Sequence, residues 1–232
     1  MLLAIDTATR IMSLALHDGE ALLAEQSWNT RNRHTVELAP AIQTMFNSLE
    51  MNVADLTSLG VSIGPGSYTG LRIGVSFAKG LAASQGLPLV GITTLDTLAA
   101  GQPHHQSGMG LIAVVQAGRG RIIVQSYRWR KGRWTSRVEP SLMDWETLLK
   151  TIDGPAYITG EVNEDGREAI VAAQKTDLKI AIVPPSHRLR RAGFLAQLAW
   201  EQLLSVEEDF DVAETFAADK LMPIYLQSTP AS

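Results

Sequence analysis

The chain has 232 residues, 45% hydrophobic and 19% charged, with 24 acids against 20 Lys and Arg and a formal charge of −4. That length allows one large domain or two of roughly 100–120 residues, and the mild acidity argues against indiscriminate nucleic-acid binding by the whole molecule. The absence of cysteine excludes disulfides and thiolate metal sites, and no apolar run approaches the ~20 residues of a membrane helix. The expectation is a cytoplasmic protein with no membrane partner.

Residues 2–6 read as an apolar strand ending on Asp6, followed by the polar turn Thr7-Ala8-Thr9-Arg10. Residues 11–17 read as a second strand, Asp18-Gly19 is a two-residue hairpin signal, and 20–27 return as a third strand. Leu38, Ile42, Met45 and Leu49 recur at helical spacing, with Pro40 tolerated in a first turn or at a kink. A strand at 59–63 then leads into Gly64-Pro65-Gly66-Ser67-Tyr68-Thr69-Gly70-Leu71-Arg72-Ile73-Gly74, a Gly-rich turn launching a helix to about Gln85. Ser67 or Thr69 can cap that helix. One stripe of it holds Leu71, Val75, Ala78 and Ala82, a second Gly70, Gly74, Phe77 and Leu81. A helix apolar on most of its circumference is covered on more than one side, and Gly70 and Gly74 let a second backbone approach closely. Residues 87–92 read as a strand and 94–100 as a short helix. The Gly-, Pro- and His-rich stretch at 101–108 is the best linker in the chain, dividing a first lobe, 1–104, from a second, 105–232.

The second half repeats the order of the first. Strands are expected at 111–116, 121–129 and 133–138, the last two joined by Lys131-Gly132. A helix follows at 144–150, a strand at 156–159 ending on Gly160, a helix at 163–174 and a strand at 178–183. Strand, hairpin, strand, helix, strand, Gly and helix thus occur twice, with Gln116 in the place of Asp6 and Gly160 in that of Gly64. Residues 187–204 read as the last long helix and 222–226 as a final strand. The seven acids between 192 and 219 read as a solvated face.

A strand-end Asp followed by Thr7, Thr9 and a hairpin is how duplicated phosphate-binding folds of the actin, Hsp70 and sugar-kinase type begin. There the carboxylate holds a hydrated Mg²⁺ and the turn a phosphate. The competing reading is an Asp that caps its own turn. Asp6, Thr7, Gly64, Gly66, Ser67 and Thr69 are the candidate phosphate contacts, because a Gly-rich turn at a helix N-terminus points N–H groups outward. Ala8 replaces the usual glycine of the first turn, and Gln116 replaces a second carboxylate. Both speak against the alternative function, an autonomous actin-like ATPase or small-molecule kinase. The five histidines form no His-x-x-x-His pair, so no metal site is expected.

Arg119, Arg121, Arg128, Arg130, Lys131, Arg133 and Arg137 lie in an acid-free stretch with Tyr127, Trp129 and Trp134. Hairpin alternation puts Arg128 on one face and Tyr127 and Trp129 on the other. Arg128, Arg130, Lys131 and Arg133 are therefore candidate RNA contacts, through phosphates and with a ring to stack on a base. The alternative is a solvated hairpin whose Trp packs on its own sheet.

Leu3-Ala4-Ile5-Asp6-Thr7-Ala8-Thr9, Arg33-His34-Thr35 before the helix with Pro40, the run from Gly64 to Gly74 with Ala78-Lys79-Gly80-Leu81-Ala82, and Pro88-Leu89-Val90-Gly91-Ile92-Thr93-Thr94-Leu95 resemble the bacterial TsaB family. So does Pro223-Ile224-Tyr225-Leu226. Gln116-Ala117-Gly118-Arg119 departs from the Asp-Ala-Arg-Arg-like stretch usual in that family. The resemblance implies a duplicated actin/Hsp70/sugar-kinase-like α/β fold, two lobes each a mixed sheet with flanking helices, and a chain that is not an enzyme on its own. It implies pairing with TsaD, which carries the transfer chemistry, and work with the ATPase TsaE. Together they transfer threonylcarbamoyl to N6 of adenosine 37 in tRNAs reading codons that begin with A. It further implies no cofactor of its own, with ATP or ADP and Mg at an interface shared with partners, and tRNA met through the complex. The pairing surface it implies is made by first-lobe helices, through Gly70, Leu71, Ile73, Gly74, Phe77, Ala78 and Leu81 on one and Leu38, Ile42 and Met45 on the other. The same surface would serve a homodimer.

Overall fold

The computed structural model describes residues 1–104, 108–136, 138–175, 178–207 and 210–226. The chain divides into two compact units, Met1–Thr97 with Arg190–Ile224, and Leu98–Leu189 with the tail from Tyr225.

The first unit is built on β1 (Leu2–Asp6), β2 (Ile11–His17), β3 (Leu22–Asn29), α1 (His34–Ser48), β4 (Ser58–Gly64), α2 (Tyr68–Gln85) and β5 (Leu89–Thr93), with α3 (Thr94–Ala100) beginning at its end. The sheet order is β3-β2-β1-β4-β5. β1 pairs antiparallel with β2 and parallel with β4. All five residues of β1 are buried, as an unbroken apolar run must be when both sheet faces are covered. Strand alternation then sorts the core into two layers. Leu3, Ile5, Met12 and Leu14 pack with Leu38, Ile42 and Phe46 of α1 and Val75 and Ala78 of α2. Leu2, Ala4, Ala15, Val90 and Ile92 face the other way.

What covers that second face is α6 (Ala192–Leu204), through Ala192, Leu195, Ala196 and Ala199. Residues 190–224, assigned from sequence to the second lobe, thus belong to the first unit, because the apolar underside of its sheet is covered by this helix, with Phe216 beside it. The helix is also shorter than expected. Residues 185–187 form a single 3-10 turn, and Arg190 stands just before α6 with its guanidinium in a buried ion pair to Asp6, Nε to Oδ2 2.9 Å. Residues 222–226 form no strand; one backbone bond, Ile224 N to Ile63 O at 2.7 Å, ties them to β4.

α2 starts where Ser67 Oγ accepts from Gly70 N, at 3.3 Å, and ends on Gly86 in the left-handed region, φ 65°. α1 runs unbroken through Pro40, whose missing N–H leaves a carbonyl one turn back, at exposed Val36, to solvent. The two glycines of α2 have a specific neighbour. A Cβ at Gly70 would overlap the carbonyl oxygen of Thr7, and one at Gly74 its Oγ1, whereas nothing lies within 4 Å of a Cβ at Gly80.

The second unit holds β6 (Gly110–Gly118), β7 (Arg121–Arg130), β8 (Arg133–Thr135), β9 (Ser141–Met143), α4 (Trp145–Thr151), β10 (Ala156–Gly160), α5 (Glu164–Gln174) and β11 (Ile180–Ile182). Its sheet runs β11-β10-β6-β7-β8, with β9 also on β7. This is the order of the first sheet again, with α4 and α5 in the chain positions of α1 and α2. Gly64 and Gly160 close equivalent strands with φ of 104° and 90°. Asp144 and Asn163 cap α4 and α5, and Asn163 Oδ1 also accepts from Trp145 Nε1 at 3.0 Å, joining the two helices. A four-residue helix, α7 (Val212–Thr215), completes the described elements.

Gly74→Ala is expected to lower stability by about 2–3 kcal/mol through overpacking on Thr7, and Gly80→Ala to raise it by up to ~1 kcal/mol. Urea titration of both variants reads the opposite signs. Arg190→Ala, which leaves Asp6 buried without its counter-charge, is expected to cost about 3–5 kcal/mol in the same titration.

Candidate functional site

Asp6 is fully buried and both of its carboxylate oxygens are engaged. Oδ1 accepts from Ala8 N at 2.8 Å, the Asx-turn geometry. Oδ2 accepts from Arg190 Nε, and the Arg190 guanidinium also donates to Thr9 Oγ1 at 2.8 Å and Ile11 O at 3.0 Å. From the other side His34 Nε2 donates to Thr9 O at 2.8 Å. The turn after β1 is therefore clamped by an Arg from just before α6 and a His from the start of α1.

The Gly-rich turn lies against it. Ser67 N donates to Ala8 O at 2.6 Å, Thr7 Oγ1 donates to Gly70 O at 2.7 Å, and Leu71 N is taken by Ser67 O. A Cβ at Gly66 would run into Ala8 O, and one at Gly64 would stand 2.7 Å from Ile224 O. The expected phosphate contacts Asp6, Thr7, Gly64, Gly66 and Ser67 do come together, yet what fills the space between them is this chain's own backbone. Thr69 is exposed on the first turn of α2. The residues present do not fit a Mg²⁺-bound phosphate. Each carboxylate oxygen is already bonded within the chain, and the N–H groups of Ser67, Gly70 and Leu71 are spent on Ala8 O, Ser67 Oγ and Ser67 O.

The expected pairing residues divide in two. Gly70, Leu71, Gly74 and Ala78 of α2, and Leu38, Ile42 and Met45 of α1, are buried in the first unit's own core. They are not surface, because α1 and α2 lay these faces on the sheet and on Thr7. Ile73, Phe77 and Leu81 are half-buried at the rim of that core. On α1 Val36 is 58% exposed, and on α2 the Arg72 guanidinium lies 4.1 Å over the Tyr68 ring.

In the second unit Gln116 N donates to Glu161 Oε2 at 2.9 Å and Gln116 Nε2 to Glu161 O at 2.7 Å. A carboxylate thus stands beside Gln116 after all, supplied by the residue after Gly160. Sequence reasoning missed both Glu161 and Arg190. The only signal for Glu161 was its place just past a strand-ending glycine; Arg190 sits in a basic run where nothing local sets it apart. The basic stretch forms a β7–β8 hairpin as expected. Arg128, Arg130, Lys131 and Arg133 are exposed at its end, Arg119 and Arg121 lie at the far end of β7, and Arg137 falls outside the described residues. Among the described residues no three His, Cys, Asp or Glu side chains gather into a metal-holding group, and no helix is long and apolar enough to cross a membrane.

Residues 22–200 match the family model described as TsaD: tRNA N6-adenosine threonylcarbamoyltransferase. The Bacillus subtilis tRNA threonylcarbamoyladenosine biosynthesis protein TsaB is 36% identical over 163 residues, covering 68% of this chain and 70% of that protein. The Escherichia coli protein of the same name is 28% identical over 232 residues, 99% of this chain and 96% of that one. The solved structure of YeaZ from Pseudomonas aeruginosa, 20% identical, covers 97% of this chain and 99% of its own with a TM-score of 0.73, a likeness of fold. With its sheet order repeated in two units, the architecture is the duplicated actin/Hsp70/sugar-kinase-like one. The chain belongs to the family that the TsaD model defines and, within it, to the TsaB proteins.

Proposed function

We propose that this chain works in tRNA threonylcarbamoyladenosine biosynthesis as a supporting subunit that is not an enzyme on its own. It pairs with TsaD and acts with TsaE in transferring threonylcarbamoyl to N6 of the tRNA adenosine. The names of its relatives support the pathway. The observation that carries the supporting role is the filled first-lobe turn. Phosphoryl chemistry needs a carboxylate open to a hydrated cation and N–H groups open to an anion, and Asp6 and Ser67 have committed theirs to Arg190, Ala8 and the turn itself. In this reading nucleotide and Mg belong to the assembled complex. The autonomous ATPase or kinase reading requires tight Mg·ATP binding by the chain alone, for which this turn offers no support.

The pairing face in this reading is the rim of Ile73, Phe77 and Leu81 on α2 with Val36 on α1. It combines half-buried apolar side chains with an exposed one, and TsaD is its occupant. Gly74 lies beneath this rim against Thr7, so a substitution there tests folding and says little about pairing.

With TsaD and TsaE supplied, threonylcarbamoyl transfer to tRNA is expected to collapse when this chain is left out; undiminished transfer overturns the proposal. Phe77→Arg is expected to weaken TsaD association by roughly thirtyfold, as loss of a buried aromatic anchor does, with an unfolding midpoint near that of the parent. Unchanged association removes this rim from the TsaD contact, and loss of self-association alone reassigns it to a second copy.

A further inference from the structure

The β7–β8 hairpin closes on Lys131 and Gly132, with φ of 50° and 79°, the positive-φ pair that matches the twist of a two-residue turn. Its register sets Arg130 opposite Arg133 and Arg128 opposite Thr135. Opposed residues share a face and so do residues two apart on one strand. Arg128, Arg130 and Arg133 therefore stand on one face, with Lys131 at its tip, and all four are exposed.

Like charges set directly opposite across two strands repel, and among the described residues no acid stands against the Arg130–Arg133 pair. Arg130, Lys131 and Arg133 make no ion pair among the described residues, and Arg128 reaches only the exposed Asp153, at 3.9 Å. No acid occurs between Arg119 and Arg137, although the whole chain carries −4. The local charge is thus opposite to the global one and unneutralised.

The other face explains why the patch holds its shape. Trp129 stacks on His104, centroids 4.7 Å apart and 9° from parallel, and meets Trp134 edge-on at 5.4 Å. Trp134 Nε1 donates to Gln102 O at 2.8 Å. The aromatic residues are used to anchor the hairpin, so the base stacking expected from sequence gives way to contact through charge. Three of the four cations are Arg, whose planar fork suits phosphate oxygens. Residues two apart on a strand repeat at about 7 Å, close to the spacing of successive phosphates along a nucleic-acid strand.

We propose that the face formed by Arg128, Arg130, Lys131 and Arg133 is a sequence-independent RNA contact that grips the sugar-phosphate backbone of the tRNA. This rests on the reading that the chain works in tRNA modification, and adds that the chain itself touches the substrate. The test titrates unmodified tRNA, and an RNA of scrambled sequence, against the full chain and against its assembly with TsaD and TsaE across a salt series. Arg130→Glu with Arg133→Glu is expected to weaken binding of both RNAs by about tenfold or more and to flatten the slope of log K against log salt by about 1.5–2. Arg130→Lys with Arg133→Lys keeps the affinity close to that of the parent. If the Glu pair does not fold, Arg130→Gln with Arg133→Gln decides, with the same directions. Parental affinity and salt slope in the charge-altered chain and its assembly overturn the proposal. So does unchanged tRNA affinity with lost TsaD or TsaE association, which makes the patch a protein contact. Transfer that needs this chain, together with indifferent RNA binding, sinks the RNA contact and leaves the functional reading standing. Transfer that ignores this chain, together with weakened RNA binding, does the reverse.

Discussion

The structure depends on one buried ion pair between residues 184 positions apart in the sequence. Asp6 closes the first strand and Arg190 opens the segment that returns to it, with both side chains withdrawn from water. Taking two charges out of solvent costs several kcal/mol per ion unless every donor and acceptor is matched. Here the matching is close: Ala8 N, Thr9 Oγ1 and Ile11 O complete what the pair leaves open. Such a pair is weak evidence for net stability, but breaking it by removing one partner leaves an uncompensated buried charge. The pair also decides the chemistry of the turn. A carboxylate that would serve a cation in a phosphate-binding fold is neutralised by the chain itself.

That single commitment changes the meaning of the Gly-rich loop. Glycines beside a helix N-terminus suggest a ligand approaching the backbone closely. At Gly66, Gly70 and Gly74 the close neighbours are Ala8 and Thr7 of the same chain. The loop keeps its glycines at a helix N-terminus while the N–H groups of Ser67, Gly70 and Leu71 bond within the chain. Its present role is to seat α2 on the strand-end turn, and so to fix which of its residues reach the rim.

Local features were legible in the sequence because each has a local cause. The buried run of β1, the Asp18-Gly19 and Lys131-Gly132 turns, the Ser67 cap and the repeated element order all follow from side-chain period and backbone sterics within a few residues. The misreadings share a different cause. The pattern of α2 announced that something packs against Gly70 and Gly74, but a helix period carries no label for whether that partner is Thr7 or another molecule. The composition of α6 announced burial without naming the sheet beneath it. Arg190 meets a partner 184 residues away, and Glu161 approaches Gln116 only once β10 lies beside β6. In each case the sequence specified a demand, and tertiary placement chose what met it.

The return of α6 to the first sheet has a consequence for how the chain is made. Leu2, Ala4, Ala15, Val90 and Ile92 leave the ribosome early, but the helix that shields them follows the whole of Leu98–Leu189. At about 5–20 residues per second that interval lasts roughly 5–20 s. The Leu98–Leu189 part of the second unit, which holds all its strands, is made during it, while the N-terminal sheet waits with one greasy side bare. The nascent chain is therefore most exposed to misassociation, and most in need of a chaperone, in residues 1–97, the part that emerges earliest and matures last.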